Sequence, residues 1–392
     1  MMRRSLTVGF VMVVALALGL GLAACGEEQA VETTATTAAP ATTTTTAAPE
    51  TTSTTAPAPE TTTTEAARPT QEPMTIRYAT TFVETDAGGK IVQYFCDSVE
   101  DATAGAVEFD IFFGGTLGTN MEELGLVSSG SADMVSLGHP PFADQIPLLN
   151  FPRWAPPDAQ GAIDYFNYLV FDNPDTSTLI QAEAASNNVI YLGFTAGGGN
   201  VFIAKESFAK LSDLVGREFG AGGLAPAFEA MGYTVVQSLP SDTYENLSSG
   251  VIEATRMDFA STVDFKWYEI CKYYMFDGIY AAGNVFAVNL DTWEKLTEET
   301  QAIMYGAAAE AETFSLELGA TDTAASIKLL TDAGVTVGTL SDEDIAMWWD
   351  LLFNVSAVDC MARAQNLGIV NEMTTVLTAA AEFTGVEWSP AQ

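Results

Sequence analysis

Hydrophobic and polar positions follow two periods along most of this chain. Thr75-Ile76-Arg77-Tyr78-Ala79-Thr80 alternates with period two and predicts a strand. From about 88 to 99, Ile91, Val92, Phe95 and Val99 recur at helical spacing. Val107-Glu108-Phe109-Asp110-Ile111-Phe112 alternates again, as a half-buried strand. Gly114-Gly115-Thr116-Leu117-Gly118 breaks it, and Asn120 is placed to cap a helix over 121–128. A strand over 133–137, a helical segment over about 158–170 and a strand over 189–194 follow. The alternation predicts a mainly parallel sheet in an α/β unit.

A second unit opens near Asn200. Strands are expected at 201–204, 217–219 and 234–236, with helices over 225–231 and over 241–248, the latter capped by Ser241. The stretch 284–289 reads as a return strand into the first unit, and helices dominate 297–318 and 341–364. The expected organisation is α/β domain I over 74–199 and 284–325, and α/β domain II over 200–283 and 326–392. Outside the region before residue 74, no repeat of fixed period is visible.

The N-terminus sets the compartment. Arg3 and Arg4 precede an apolar run from Val8 to Leu22, short for a membrane span, that closes on Leu22-Ala23-Ala24-Cys25. Residues 1–24 read as a lipoprotein signal peptide and Cys25 as the lipid attachment site; the alternative is an uncleaved anchor. Either places the rest outside the cytoplasm. Residues 26–73 are built largely from Thr, Ala, Pro and Glu, too little apolar surface to offset chain entropy, so 25–73 is expected to be an anchor with a disordered tether.

Charge narrows the partners. The chain carries 15 basic and 51 acidic residues, a net −36, and loss of Arg3 and Arg4 with the leader takes it to −38. That excludes nucleic acid and anionic lipid headgroups as preferred partners. A pocket for an anion then needs a local positive group. Beyond Cys25 only Cys96, Cys271 and Cys360 remain, without a C-x-x-C, so metal and redox motifs are absent. One disulfide with one free thiol, or three buried thiols, both fit. With one histidine and neither G-x-S-x-G nor H-E-x-x-H, the common hydrolase constellations are missing. Gly220-Ala221-Gly222-Gly223-Leu224-Ala225 fits a dinucleotide pattern, but an exported chain has little access to nicotinamide cofactors. No cofactor and no metal are expected.

Four segments carry a family resemblance. They are Gly114-Gly115-Thr116-Leu117-Gly118 with Gly130-Ser131-Ala132-Asp133-Met134; Leu211-Ser212-Asp213-Leu214-Val215-Gly216; Gly232-Tyr233-Thr234-Val235-Val236 with Asp242-Thr243-Tyr244-Glu245-Asn246-Leu247 and Gly250-Val251-Ile252-Glu253; and Cys271-Lys272-Tyr273-Tyr274 through Asn289 with Trp293-Glu294-Lys295-Leu296. In this order and spacing they resemble the solute-binding receptors of tripartite ATP-independent periplasmic (TRAP) transporters. The resemblance implies a two-domain periplasmic-binding-protein-like α/β fold with an interdomain ligand cleft and a long connecting helix. It also implies an organic-acid solute and membrane permease subunits as partners.

Two departures bear on chemistry. Where such receptors usually carry an Arg that clamps a carboxylate, this chain has Gly220; where one branch carries Glu-Trp near a cation, it has Arg256-Met257. Arg256 is therefore a candidate anion donor, against the plainer reading of a surface or salt-bridged side chain. Other candidates come from loops at strand ends, where open α/β sheets hold ligands. They are Thr80, Thr81, Thr119, Asn120, Ser136, His139, Asn200, Asp258 and Trp267, with the backbone at Gly220. A neutral or polyol solute, or a sensor lobe feeding a membrane kinase, are the alternatives within binding; an exported enzyme on the same scaffold is the third.

Overall fold

The computed structural model describes residues 70–156, 158–222 and 224–390. The leader, Cys25 and residues 26–69 lie outside the described residues.

Ten strands form one mixed sheet. They are β1 (Met74–Ala79), β2 (Val107–Phe112), β3 (Met134–Leu137), β4 (Trp154–Ala155), β5 (Val189–Ala204), β6 (Glu218–Ala221), β7 (Thr234–Gln237), β8 (Ala254–Asp258), β9 (Tyr273–Asn289) and β10 (Thr336–Thr339). The main order is β2-β1-β3-β9-β5-β8-β6-β7, with β4 and β10 on β9. β1, β2 and β3 are mutually parallel, as are β6, β7 and β8, and β9 and β5 run antiparallel between the two sets. Two α/β lobes thus share one sheet through β5 and β9.

Those two strands are longer than the pattern suggests. The separate strands expected at 189–194 and 201–204 are one 16-residue strand, and the return strand begins at Tyr273. The glycine run 197–199, which reads as a break, stays in the sheet because the backbones approach closely there. A Cβ at Gly197 would stand 2.2 Å from the Ala281 carbonyl oxygen. Register shifts between Tyr191 and Val201 take up the irregularity.

The helices are α1 (Ala87–Ala102), α2 (Glu123–Ser128), α3 (Ala159–Asn167), α4 (Pro174–Ser186), α5 (Ala225–Ala230), α6 (Pro240–Ser249), α7 (Phe259–Asp264), α8 (Leu290–Trp293), α9 (Glu298–Asp332), α10 (Asp342–Leu367) and α11 (Val370–Thr384). Asp86, Asp158, Thr297 and Ser341 cap α1, α3, α9 and α10 with side-chain acceptors. Two expected caps fail. Pro240, which has no N–H, takes the first position of α6, so Leu239 is the cap and Ser241 lies inside the first turn. Thr119 N–H and O–H both donate to Glu122 Oε2, at 2.8 and 2.9 Å, closing a turn. Consequently α2 starts at Glu123, and Asn120 caps nothing. α3 ends at Asn167 in a π-turn over Tyr168–Asp172. Neither α4, β10 nor α11 was expected.

Each lobe has its own apolar core. Tyr78, Phe95, Phe286 and Trp293 anchor the first, and Ile203, Phe259, Trp267 and Tyr274 the second. A larger cluster from Phe166 to Trp348 and Phe353 joins them along the other face of the sheet. α9 is 35 residues long, about 50 Å. Its Met304, Ala307 and Ala308 pack in the first core and its Leu330 in the second. Cys96, Cys271 and Cys360 are all buried free thiols, so the three-thiol reading holds.

Candidate functional site

The site begins at the crossing of β5 and β9. Small residues there (Gly197, Gly198, Ala281, Ala282 and Gly283) leave a cavity of about 510 Å³ against β6, β8 and the segment before β4. Asn200, Gly220, Arg256, Asp258 and Trp267 line it, together with Arg153 and Trp154.

Arg256 projects from β8 with a side chain only 4% exposed. Its Nε donates to Asp277 Oδ2 at 2.6 Å, and its guanidinium lies over Trp348, 5.4 Å from the ring centroid. Asp277 is wholly buried on β9 and also accepts from the Ile279 N–H at 3.0 Å. Burial pushes its carboxyl up, against the pull of Arg256. Arg256 is therefore salt-bridged and faces the cavity at once, and its Nη2 is buried without a partner.

Arg153 is the residue the sequence reading missed. It stands in the Phe151-Pro152-Arg153-Trp154-Ala155 stretch leading into β4, with its guanidinium over Trp154 at 5.4 Å. Its Nε is buried without a partner, and among the described residues it has no carboxylate counter-ion. Burial, and then the charge of Arg256, lower its pKa, but a guanidinium stays protonated. Two guanidiniums thus share the cavity wall with the Asp258 carboxylate, and Asp277 lies behind Arg256. A cation flanked by prolines and aromatics, in a chain with 15 basic residues, was the signal available.

The other lining groups are mostly satisfied. Asp258 caps α7, accepting from Ser261 N–H and O–H at 2.9 and 2.7 Å. Asn200 Nδ2 donates to the Gly198 and Ile279 carbonyls. Thr255 donates to the Gly220 carbonyl at 2.9 Å. Trp267 is stacked on Phe265 with centroids 5.6 Å apart, and its indole N–H has no partner. A Cβ at Gly220 would meet Ile252 Cδ1 at 2.5 Å, so an Arg side chain there would have to displace Ile252.

Six expected residues stand on the first lobe, outside this cavity. Thr80 accepts from the Phe82 N–H, and Ser136 shares a 2.9 Å hydrogen bond with the Tyr78 hydroxyl. Thr81 donates to Glu123 Oε1 at 3.2 Å. Glu123, 2% exposed, also accepts from the Gly138 N–H; burial raises its pKa to about 7. Thr119 and Asn120 are exposed in the turn before α2. His139 is buried against Phe166, with Nδ1 3.2 Å from Asn150 Oδ1. Burial and then the Arg153 charge lower its pKa to about 3, so the ring is neutral.

A second cavity of about 920 Å³ adjoins the first. Arg153, Trp154 and Leu224 line both. Its remaining walls are the 140–152 segment, Pro226 and the 355–363 face of α10.

A two-lobed sheet with a cavity beside its crossing strands has the form of a two-lobed binding protein. Comparison with known proteins gives the family. The sequence profile of the bacterial extracellular solute-binding proteins, family 7 (DctP), matches residues 78–357, and the chain belongs to that family. A solute-binding protein of Sulfitobacter sp. (strain NAS-14.1) is 24% identical over 283 residues, 70% of this chain and 84% of that one. The fold is that of a TRAP periplasmic solute-binding protein from Rhodobacter sphaeroides in an open apo form. The TM-score is 0.68 at 20% identity, covering 80% of this chain and 99% of that one. A Sulfitobacter TRAP receptor with bound β-D-galacturonate superposes with a TM-score of 0.58 at 17% identity, covering 78% and 100%. This is a transport binding protein and not an enzyme.

Proposed function

We propose that this chain is the lipid-anchored, extracytoplasmic receptor of a TRAP transporter, capturing an organic acid between its lobes and passing it to membrane permease subunits. One observation carries the choice of solute. Three residues that line the cavity, Arg256, Arg153 and Trp267, each carry a buried donor without a partner, Nη2, Nε and Nε1. Among the described residues that line it, no buried side-chain acceptor lacks a donor. A polyol brings hydroxyl protons that need acceptors; a carboxylate brings only acceptors. The unneutralised guanidinium adds charge to the same preference. The related Sulfitobacter receptor holds a sugar acid, which agrees with an acid here. The neutral-solute alternative has no comparable support.

Of the expected site residues, Arg256, Trp267, Asn200, Asp258 and the Gly220 backbone form the receptor wall in this proposal, with Arg153 added. Thr80, Thr81, Thr119, Asn120, Ser136 and His139 support the first lobe. The proposed domains, 74–199 with 284–325 and 200–283 with 326–392, meet inside β5, β9 and α9, so all three connections are continuous elements.

A thermal-shift and calorimetric screen of small carboxylates beside neutral polyols tests the proposal. Binding of a carboxylate, lost in Arg153→Ala and Arg256→Ala, supports it. Binding of a polyol with no response to any acid would overturn it.

A further inference from the structure

The second cavity refines the solute. Most of its polar wall groups are engaged within the protein. Asn150 Nδ2 donates to the His139 and Ile146 carbonyls, Ser356 donates to the Leu352 carbonyl, and the Cys360 thiol donates to the Asn150 carbonyl. The other walls are apolar, chiefly Phe151, Trp154, Leu224, Pro226 and Val355. The cavity therefore offers a ligand apolar contact and little else, except where Arg153 stands at its junction with the first.

Carboxylates stand at both cavities. In the first, Asp277 lies behind Arg256, and the Asp258 oxygens accept from the Ser261 N–H and O–H. At the far edge of the second, Arg363 pairs with both Asp359, at 2.5 Å, and Asp144, at 3.4 Å. There one cation faces two carboxylates, Asp359 at the cavity and Asp144 in solvent. A second carboxylate carried into the larger cavity would exchange water for mostly apolar walls beside Asp359, a cost that an apolar body does not meet.

We propose that the solute is a monocarboxylic acid with an apolar body, its carboxylate held by Arg153 and Arg256 and its body lying past Trp154 in the second cavity. This rests on the acid-receptor reading above. Closing the lobes then removes the apolar body from water between the 140–152 segment on one side and Leu224 and Pro226 on the other, so body length becomes a source of affinity.

The test is a chain-length series on the purified protein. Calorimetry is run with straight-chain alkanoates from propionate to octanoate and with α,ω-dicarboxylates of equal length. Each buried methylene tightens binding roughly fourfold. Affinity is expected to climb through the alkanoates, with dicarboxylates at least tenfold weaker at equal length. Ala362→Trp, on the exposed side of α10 at this cavity, is expected to flatten the climb. Val358→Trp, at a position 67% exposed, gives an independent block if the first variant folds poorly. A flat series in the parent, dicarboxylates that bind as well as alkanoates, or a climb untouched by both blocks overturns the proposal. If short hydroxy acids or dicarboxylates bind but alkanoates do not, the acid receptor stands and only the apolar body falls. If no carboxylate binds, both fall.

Discussion

Asp277 accepts from Arg256 at 2.6 Å with both side chains out of solvent, and this pair decides which way the guanidinium faces. The hydrogen bond occupies Nε and leaves Nη2 buried without a partner. Breaking a buried pair from one side leaves the other charge stranded. Asp277→Ala is expected to lower unfolding stability by about 3–5 kcal/mol. The double variant Asp277→Ala/Arg256→Ala should recover part of that loss in urea unfolding. Strictly additive losses would show that the pair is uncoupled.

Arg153 makes an opposite prediction for the empty protein. Its charge has no carboxylate partner and is disfavoured by burial and by Arg256. Arg153→Met should raise the melting temperature without solute while weakening acid binding about ten- to a hundredfold, the worth of a charged hydrogen bond. Arg153→Lys should restore only part, since an ammonium cannot form the planar fork. Arg217, which does not line the cavity, serves as the control.

Glu123, Glu183 and His139 together favour stability that falls as pH rises from about 5 to 7. Glu123 and Glu183 both have folded pKa values raised to about 7 by burial, from 4.5. A carboxyl raised on folding binds its proton more tightly in the native state, so its contribution is present below 4.5 and is lost as pH rises to 7. For Glu123, 2% exposed, that loss is about 3 kcal/mol. His139 acts in reverse. Its pKa falls from 6.5 to about 3, so its contribution is present above 6.5 and is lost as pH falls through that window. The two glutamates outweigh it between 4.5 and 7, and His139 acts below. Melting temperatures from pH 3.5 to 8 check the curve, and Glu123→Gln should shallow the fall above pH 5.

At the strand crossing, Gly197→Ala should cost about 1–3 kcal/mol, the usual penalty of overpacking. Its new Cβ would meet a backbone carbonyl, which cannot rotate away. Solute affinity should fall with it, because β5 and β9 carry the cavity floor. Gly306→Ala, in α9 with open space around it, is the matched control and should be neutral or stabilising.

Anchoring is testable by Cys25→Ser. The variant should lose lipid labelling and leave the membrane fraction. Unchanged labelling and fractionation would overturn the lipoprotein proposal.

Much of this architecture was legible along the chain. Period-two and helical spacing found β1, α1, β2 and β3, while the caps at Asp86, Asp158, Thr297 and Ser341 went unread. The sequence reading broke at residues whose role is tertiary. Gly197 to Gly199 reads as a strand end, and only the approach of β9 keeps it in the sheet. Arg256 was visible, but its partner Asp277 lies two strands away in the sheet. Arg153 sits in an irregular, proline-flanked stretch with no period at all, so nothing local marked it as the second cation. Thr119 and Asn120 suggested a helix start, yet Glu122 drew the Thr119 donors into a turn instead.

α9 contributes side chains to both lobe cores, and β5 and β9 also run unbroken from one lobe to the other. Three stiff connections leave few independent ways for the lobes to move. Such connections favour a hinge-like motion, a shared twist of two strands against one helix, over translation or sliding. A receptor restricted in this way reports occupancy as one number. Whatever touches both lobes from outside can read that number without touching the solute.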